Sequence, residues 1–199
     1  ASSLGFRWQP NATWNRFNGV RRINNNEGPS FNFIYAFGTG DDQFQRLNVD
    51  YNQYINLARL GTLNLHFNYT TYLQKATNFL DYTHFNGNQT HIELTAKYLD
   101  NFLLLPYYSN STNTSYFQLH SEYNDNGFIM NKIPLLNKLK SQLVMGYHAL
   151  GVPNKKPYNE FNIGLDRLGF GKFKIFRIDY VRTYENGIKT NGLVFGLKL

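Results

Sequence analysis

The sequence predicts an all-β protein: an antiparallel up-and-down transmembrane β-barrel. Apolar and polar residues alternate in about ten short runs, and turn residues separate the runs. No apolar stretch approaches the roughly 18 residues of a transmembrane helix. Of the 199 residues, 17% are aromatic and only 17% are charged. The mean hydropathy of -0.48 agrees with this fold, because strands that alternate lipid-facing and lumen-facing side chains average to a polar value.

The first half of the sequence supplies five runs. Residues 4–8 are short and extended, and residues 13–23 form one weaker predicted strand whose Gly19 and paired arginines leave its apolar face undefined. The runs at 31–37, 47–52 and 63–70 each place large apolar residues opposite Asn, Asp, His or Ile. The turn clusters NNNEGP at 24–29 and GTGDD at 38–42 separate them. The last run is the cleanest, with Leu63, Leu65, Phe67 and Tyr69 on one face and Asn64, His66, Asn68 and Thr70 on the other.

The second half centres on residues 116–151, which form two extended runs joined by a basic, Pro-containing turn. In the first run His120 and Glu122 lie opposite Phe117, Leu119 and Tyr123. In the second run His148 lies opposite Met145 and Tyr147. Three further runs follow, at 161–165, 176–184 and 193–199, and an Asn-Gly turn precedes the last one.

Residues 75–114 form a long loop with little alternation. Loops of about forty residues usually carry function or are disordered. The apolar patch at 102–105 is costly to leave in water, because burying four such side chains is worth on the order of 1.5–3 kcal/mol each. We therefore predict that part of this loop packs against the barrel, in the lumen or across its outer mouth.

The apolar face is assigned to lipid and the polar face to the lumen. A small dry core could not satisfy the many Asn, His, Asp, Glu and Arg side chains of the polar face. The residues predicted to contact lipid are Phe33, Tyr35, Leu63, Leu65, Phe67, Phe161, Ile163, Phe195 and Leu197. An even number of crossings predicts that both chain ends lie on one side of the membrane, together with the turns at 24–29, 56–61, 130–140 and 168–172.

Composition and motifs argue against several classes of function. The net charge is +7, but Lys and Arg occur singly or in pairs at the ends of runs, so nucleic acid is not a predicted partner. The absence of Cys excludes disulfides and Cys-based metal sites. No HExxH, GxSxG or Gly-rich phosphate loop occurs. We therefore predict no catalytic, cofactor-binding or metal-binding residue, and no cofactor.

The polar residues that remain form a predicted lumen network: His66, His120, Glu122, His148 and Asp179. We interpret it as a set of hydrogen bonds that fixes strand register. The alternative is a His–carboxylate pair that catalyses hydrolysis.

Several segments carry a resemblance to a known family. Residues 116–150, with HSEYNDNGF and NKIPLLNKLK, resemble the C-terminal region of a family of Gram-negative outer-membrane proteins. Members of that family carry an N-terminal carboxypeptidase-regulatory-like domain ahead of a barrel similar to those of the BamA and TamA assembly factors. NEFNIGLDRLG, FRIDYV and the terminal GLVFGLKL each resemble one of the last strands, and RLGTLNLHFNY with GNQT fits upstream. The resemblance is strongest over 61–199.

The resemblance implies a barrel of about sixteen strands, of which residues 1–199 would form the C-terminal part. It places the chain in the outer membrane and equates residues 75–114 with the long sixth extracellular loop. In BamA-like proteins that loop folds into the lumen and carries an Arg-Gly-aromatic motif. No such motif occurs here, so the resemblance does not carry assembly-factor activity over to this chain.

Three functional hypotheses follow. The first is a non-enzymatic outer-membrane barrel with a structural or assembly- and transport-related role, whose partners are outer-membrane lipid and other envelope proteins. The second is an outer-membrane barrel hydrolase with a lumenal His–carboxylate site. The third is a soluble lipocalin-like binding barrel, in which the apolar faces would line the cavity.

Overall fold

The computed structural model describes residues 1–10, 12–23, 28–39, 43–87, 91–93, 98–134, 136–171 and 173–198, and this part of the chain is all-β. Its strands are β1 (Ser2–Trp8), β2 (Trp14–Phe17), β3 (Val20–Ile23), β4 (Ser30–Gly38), β5 (Phe44–Asn56), β6 (Thr62–Gln74), β7 (His91–Glu93), β8 (Tyr116–Asn124), β9 (Gln142–Gly151), β10 (Tyr158–Phe170), β11 (Phe173–Glu185) and β12 (Ile188–Lys198). The helices are short 3-10 turns at Ala58–Leu60, Phe79–Asp81, Tyr98–Asp100, Met130–Lys132 and Leu136–Leu139. No described helix has the length and apolar character needed to span a membrane.

One sheet contains ten of these strands, in the order β1-β4-β5-β6-β8-β9-β10-β11-β12-β7. Nine of them pair antiparallel as an up-and-down meander, and β7 adds to β12 in parallel. The predicted all-β, antiparallel architecture is therefore confirmed. The predicted closed barrel is not formed by the described residues, because β1 pairs only with β4 and the outer edge of β12 pairs with β7 from the long loop.

The predicted single strand at 13–23 is wrong. This segment is a small separate hairpin in which β2 pairs with β3. Asn18 and Gly19 have φ values of 49° and 79°, which suit a two-residue hairpin turn whose twist matches the flanking strands. The chain therefore crosses the main sheet nine times, an odd number, and β1 begins at the opposite end of the sheet from the end of β12. The prediction that both chain ends lie on one side is wrong for the same reason.

The two ends of the sheet carry different connections. The long loop between β6 and β8 leaves one end, together with the β9–β10 and β11–β12 turns, and we call this the loop end. The β5–β6, β8–β9 and β10–β11 connections lie at the other end. The predicted turns at 56–61, 130–140 and 168–172 share this other end in their described parts, and residues 135 and 172 lie outside the described residues. The predicted turns at 24–29 and 38–42 lie only partly within the described residues.

The two faces of the sheet differ sharply in chemistry. The face that carries the predicted lipid-contact residues, here the apolar face, leaves Phe33, Phe161, Ile163 and Phe195 exposed. The remaining five residues of that set lie on the same face and are partly exposed. The opposite face, here the polar face, buries Asn, His, Glu, Asp and Arg side chains. The predicted division into two faces is therefore confirmed.

Part of the long loop packs on the polar face, as predicted. Phe102 and Leu105 form a buried cluster with Phe85, Tyr116, Leu150 and Tyr158. Leu103 forms a second buried cluster with Val181 and Val194, against which Leu104 packs. The apolar patch at 102–105 therefore supplies the covering layer of β8–β12.

Candidate functional site

A row of side chains crosses the polar face at right angles to the strands. Strand pairing places seven residues side by side, one each from β5, β6, β8, β9, β10, β11 and β12: Asn52, His66, His120, His148, Glu160, Thr183 and Thr190. Directly opposed residues on one face of an antiparallel pair have Cβ atoms about 4.5–5.5 Å apart, so neighbours in this row interact. We call this set the polar row.

His120 and His148 form the centre of the polar row. Their Nδ1 atoms lie 2.8 Å apart, and both rings are buried. One Nδ1 must donate a hydrogen and the other must accept it, so at least one of the two imidazoles is neutral. The ring of Phe102 packs against both, with centroid distances of 4.7 Å to His120 and 6.2 Å to His148. The pair is therefore covered by an apolar side chain of the loop.

His66 joins the loop to β6 through two carboxylates. Its Nδ1 lies 2.6 Å from Asp100 of the loop, and its Nε2 lies 3.2 Å from Asp50 of β5. Asp50 also accepts a hydrogen bond of 2.6 Å from the Asn68 amide. Ionised carboxylate oxygens only accept, so both ring nitrogens carry a hydrogen and His66 is an imidazolium. The contact with Asp100 is therefore a charge-assisted link between loop and sheet.

Glu160 fixes the backbone of the loop. Its two carboxylate oxygens accept hydrogen bonds of 2.7 Å from the Leu103 amide and 2.8 Å from the Leu104 amide. The Tyr158 hydroxyl donates to the same carboxylate, which is fully buried. An irregular segment lying on a sheet would otherwise leave these amide groups unpaired in a dry environment. Glu160 supplies the acceptors that the segment lacks.

Residues 100–104 therefore lie along the polar row, and we call them the latch segment. Asp100 contacts His66 on β6, Phe102 lies over β8 and β9, and Leu103 and Leu104 bind Glu160 on β10. Four extended residues span about 13–14 Å. Three strand spacings also span about 14 Å. The latch segment is thus the right length to cross from β6 to β10.

A second polar cluster surrounds Arg177 on β11. Its guanidinium donates to Glu122 at 2.6 Å and to the two oxygens of Asp179 at 2.7 and 3.0 Å, and it is almost completely buried. The Asn162 amide donates a further bond of 2.8 Å to Asp179. One cation therefore holds two carboxylates from separate strands, and the forked geometry gives strong hydrogen bonds.

Glycines make room for this second cluster. A Cβ atom on Gly146 would come within 2.1 Å of the Asn162 Oδ1 atom, and one on Gly164 would come within 2.4 Å of the Asp179 Oδ1 atom. Neither position tolerates a larger side chain without movement of its neighbour. These strand glycines therefore belong to the site.

The structure brings the five predicted lumen residues together in two groups. His66, His120 and His148 lie in the polar row, whereas Glu122 and Asp179 bind Arg177. Sequence reasoning missed three carboxylates that bind the loop or position its partners: Asp50, Asp100 and Glu160. It also missed the central role of Arg177. Glu160 lies one residue before the predicted run at 161–165, and period-two alternation extended by one residue would have placed it on the polar face.

The site is built for internal contacts. Its charged groups are paired with one another or with loop backbone, and the loop covers them. Among the described residues there is no group of three or more His, Cys, Asp or Glu side chains arranged to hold a metal ion. The arrangement binds a segment of its own chain.

The fold and the site together define an all-β meander that exposes an apolar face and fixes a loop on its polar face. Residues 1–165 match the model of the C-terminal domain of a family of unknown function, DUF5686, and the chain belongs to this family. No curated protein and no solved structure matches the chain.

Proposed function

We propose that this chain is a non-enzymatic β-barrel protein of the outer membrane of a Gram-negative bacterium, with a structural or assembly- and transport-related role in the cell envelope. The observation that carries the proposal is the reversed chemistry of the two faces. Soluble proteins bury apolar residues and expose polar ones, whereas lipid-facing barrels expose the apolar face. Here the buried face holds Arg177, Glu160 and His120.

The exposed apolar residues form a continuous surface across neighbouring strands. Met145, Ile163, Tyr180 and Leu193 lie directly beside one another on β9, β10, β11 and β12. Their exposed fractions are 39%, 48%, 46% and 62%. A contiguous apolar surface of this kind marks contact with lipid or with another protein. Outer-membrane lipid is the first proposed partner, and other envelope proteins are further candidates.

The latch segment supports a structural role for the polar face. A lumen wall lined with His, Glu and Asp would normally be hydrated, but here the loop seals these groups from water. In the larger barrel that the resemblance implies, of about sixteen strands, the nine crossing strands would form part of the wall and the loop would fill part of the lumen.

The two alternative hypotheses have weaker support. A hydrolase of the predicted kind needs a His–carboxylate pair that substrate can reach, whereas His120 and Asp179 are fully buried, His120 contacts His148 and Asp179 binds Arg177. The carboxylates that contact His66 link the loop to the sheet. A lipocalin-like binder needs apolar residues on the face that encloses the ligand, whereas the covered face here is the polar one.

Lipid-dependent fluorescence quenching tests the proposal. In a background of Trp8→Phe and Trp14→Phe, one variant carries Phe195→Trp on the apolar face and the other carries Phe102→Trp in the latch segment. Each protein is refolded with phosphatidylcholine vesicles and floated on a density gradient, and quenching by brominated acyl chains is measured. We expect flotation of both proteins, with strong quenching at position 195 and little at position 102.

A protein that stays soluble without detergent and does not float would contradict the proposal and favour the lipocalin-like alternative. Equal quenching at both positions would contradict the assignment of the apolar face to lipid.

A further inference from the structure

A cavity of about 610 Å³ opens at the loop end of the sheet. One wall is the part of the loop that follows the latch segment, and the other wall is formed by the β9–β10 and β11–β12 turns. The cavity adjoins the end of the polar row. Its volume falls in the range of about 300–1,000 Å³ that is typical of sites for small ligands. Its lining includes Pro106, Asn110, Asn154, Lys155, Lys156 and Ile188.

Hydrogen bonds between the three segments shape this cavity. The Lys155 ammonium donates to the Ser109 carbonyl at 2.7 Å and to the Asn110 side-chain oxygen at 3.2 Å. The Asn110 amide in turn donates to Glu185 of β11 at 3.3 Å, and Asn110 is buried. The wall is therefore held in place by its own contacts, so a ligand meets a preformed surface.

The charge of the lining favours an anion. Two lysines, Lys155 and Lys156, contribute positive charge, and Glu185 contributes the single negative charge among the described lining residues. The two acceptors that bind Lys155 are neutral, so they orient its charge without cancelling it. Lys156 is exposed at the opening, where its ammonium can reach an incoming anionic group.

The rest of the lining favours a sugar. Side-chain amides and hydroxyls, which both donate and accept, match the paired donor and acceptor character of vicinal hydroxyl groups. Pro106 and the exposed Ile188 supply apolar surface for the carbon face of a pyranose ring. We propose that this cavity binds a phosphorylated sugar. The phosphate contacts the two lysines, and the ring hydroxyls contact the exposed Asn154, whereas the buried Asn110 positions Lys155.

Calorimetry on the purified full chain in detergent micelles tests this site. The probes are glucose 6-phosphate, glucose and inorganic phosphate. We expect glucose 6-phosphate to bind at least about tenfold more tightly than either of the others, because only it engages both the lysines and Asn154. Lys156→Gln should weaken its binding about fivefold or more, and added salt should weaken it further. The matched control, Lys138→Gln on the exposed connection at the other end of the sheet, should leave affinity unchanged.

A competition arm identifies the source of the sugar. Phosphatidylcholine vesicles with and without a phosphorylated glucosamine glycolipid are added to the complex with glucose 6-phosphate. Displacement only by the glycolipid vesicles assigns the site to a lipid head group, and no displacement assigns it to a free sugar phosphate. Equal affinity for inorganic phosphate and glucose 6-phosphate, or unchanged affinity in Lys156→Gln, would overturn the proposal. These readouts do not depend on whether the chain enters a membrane.

Discussion

The first strands of the sheet differ from the later ones in what covers their polar face. Every residue of β1 is exposed, on both faces. Over residues 158–166 of β10 and 177–183 of β11 the residues of the polar face are buried, while those of the apolar face are exposed or partly exposed. β1 pairs with β4 along its whole length and yet stays exposed, so pairing with a neighbour does not by itself bury a polar face. The latch segment makes the difference, because its contacts begin at β6 and end at β12.

Replacing the buried Arg177 should lower the stability of the covered region more than any other change. Arg177→Met leaves Glu122 and Asp179 buried without their counter-charge, and we expect a loss of about 3–5 kcal/mol in the free energy of unfolding. Arg7→Met on the exposed β1 should change it by less than about 0.5 kcal/mol. Urea denaturation followed by circular dichroism measures both, and adding Glu122→Gln to Arg177→Met should recover part of the loss. Equal effects at positions 7 and 177 would remove the distinction between the regions.

Charge on the apolar face should affect both regions alike. Ile163→Arg on β10 and Phe33→Arg on β4 each place a cation in the middle of a strand, and each should cost roughly 2–4 kcal/mol in lipid vesicles. The measurement is urea unfolding of the vesicle-folded protein, with Asn154→Arg in an exposed turn as the control. Near-zero costs at both strand positions would indicate that the apolar face is in water.

Replacing a glycine by alanine in each region should show that the two regions differ in packing density. At Gly146 a Cβ atom would come within 2.1 Å of Asn162, whereas at Gly5 on β1 its nearest contact would be 3.8 Å away. Gly146→Ala should therefore cost about 1–3 kcal/mol through overpacking. Gly5→Ala should stay within about 0.5 kcal/mol of the parent protein. The same denaturation experiment measures both, and a larger cost at Gly5 would contradict the comparison.

The smallest expected effect is local to the loop. Glu160→Gln keeps one oxygen acceptor and loses the charge, so we expect a cost of about 1–2 kcal/mol. Hydrogen exchange should speed up at the Leu103 and Leu104 amides and stay unchanged in β1. Unchanged exchange at Leu103 and Leu104 would show that Glu160 does not hold the latch segment.

The alternation of residue types made the faces of the sheet predictable. The alternation places His66, His120 and His148 on the polar face, because side chains on a strand point to opposite sides in turn. The alternation does not predict that these three histidines lie side by side, because that depends on strand register. A register shift of one residue moves a side chain to the other face. Register here follows from turns and loop contacts that the alternation does not encode.

The errors have identifiable physical causes. The hairpin at Asn18–Gly19 carries the Asn-Gly turn signal, but weak flanking alternation obscured it. Asp100 and Glu160 could not be paired with their partners because those contacts join residues far apart in the chain: Leu103 and Glu160 are 57 positions apart, and Asp100 and His66 are 34 apart. The apolar patch at 102–105 was predictable as a buried element, because its chemistry alone requires burial.

These separations set an order of events during folding. The amides of Leu103 and Leu104 have no acceptor until β10, which carries Glu160, has joined the sheet. Contacts between distant parts of a chain form late, because the entropy of closing the intervening loop must be overcome first. The polar row is therefore hydrated while the strands assemble and is dehydrated only when the latch segment docks. A sheet that lacks β10 also lacks the Glu160 acceptor, so the latch segment cannot dock fully and the polar face stays open to water.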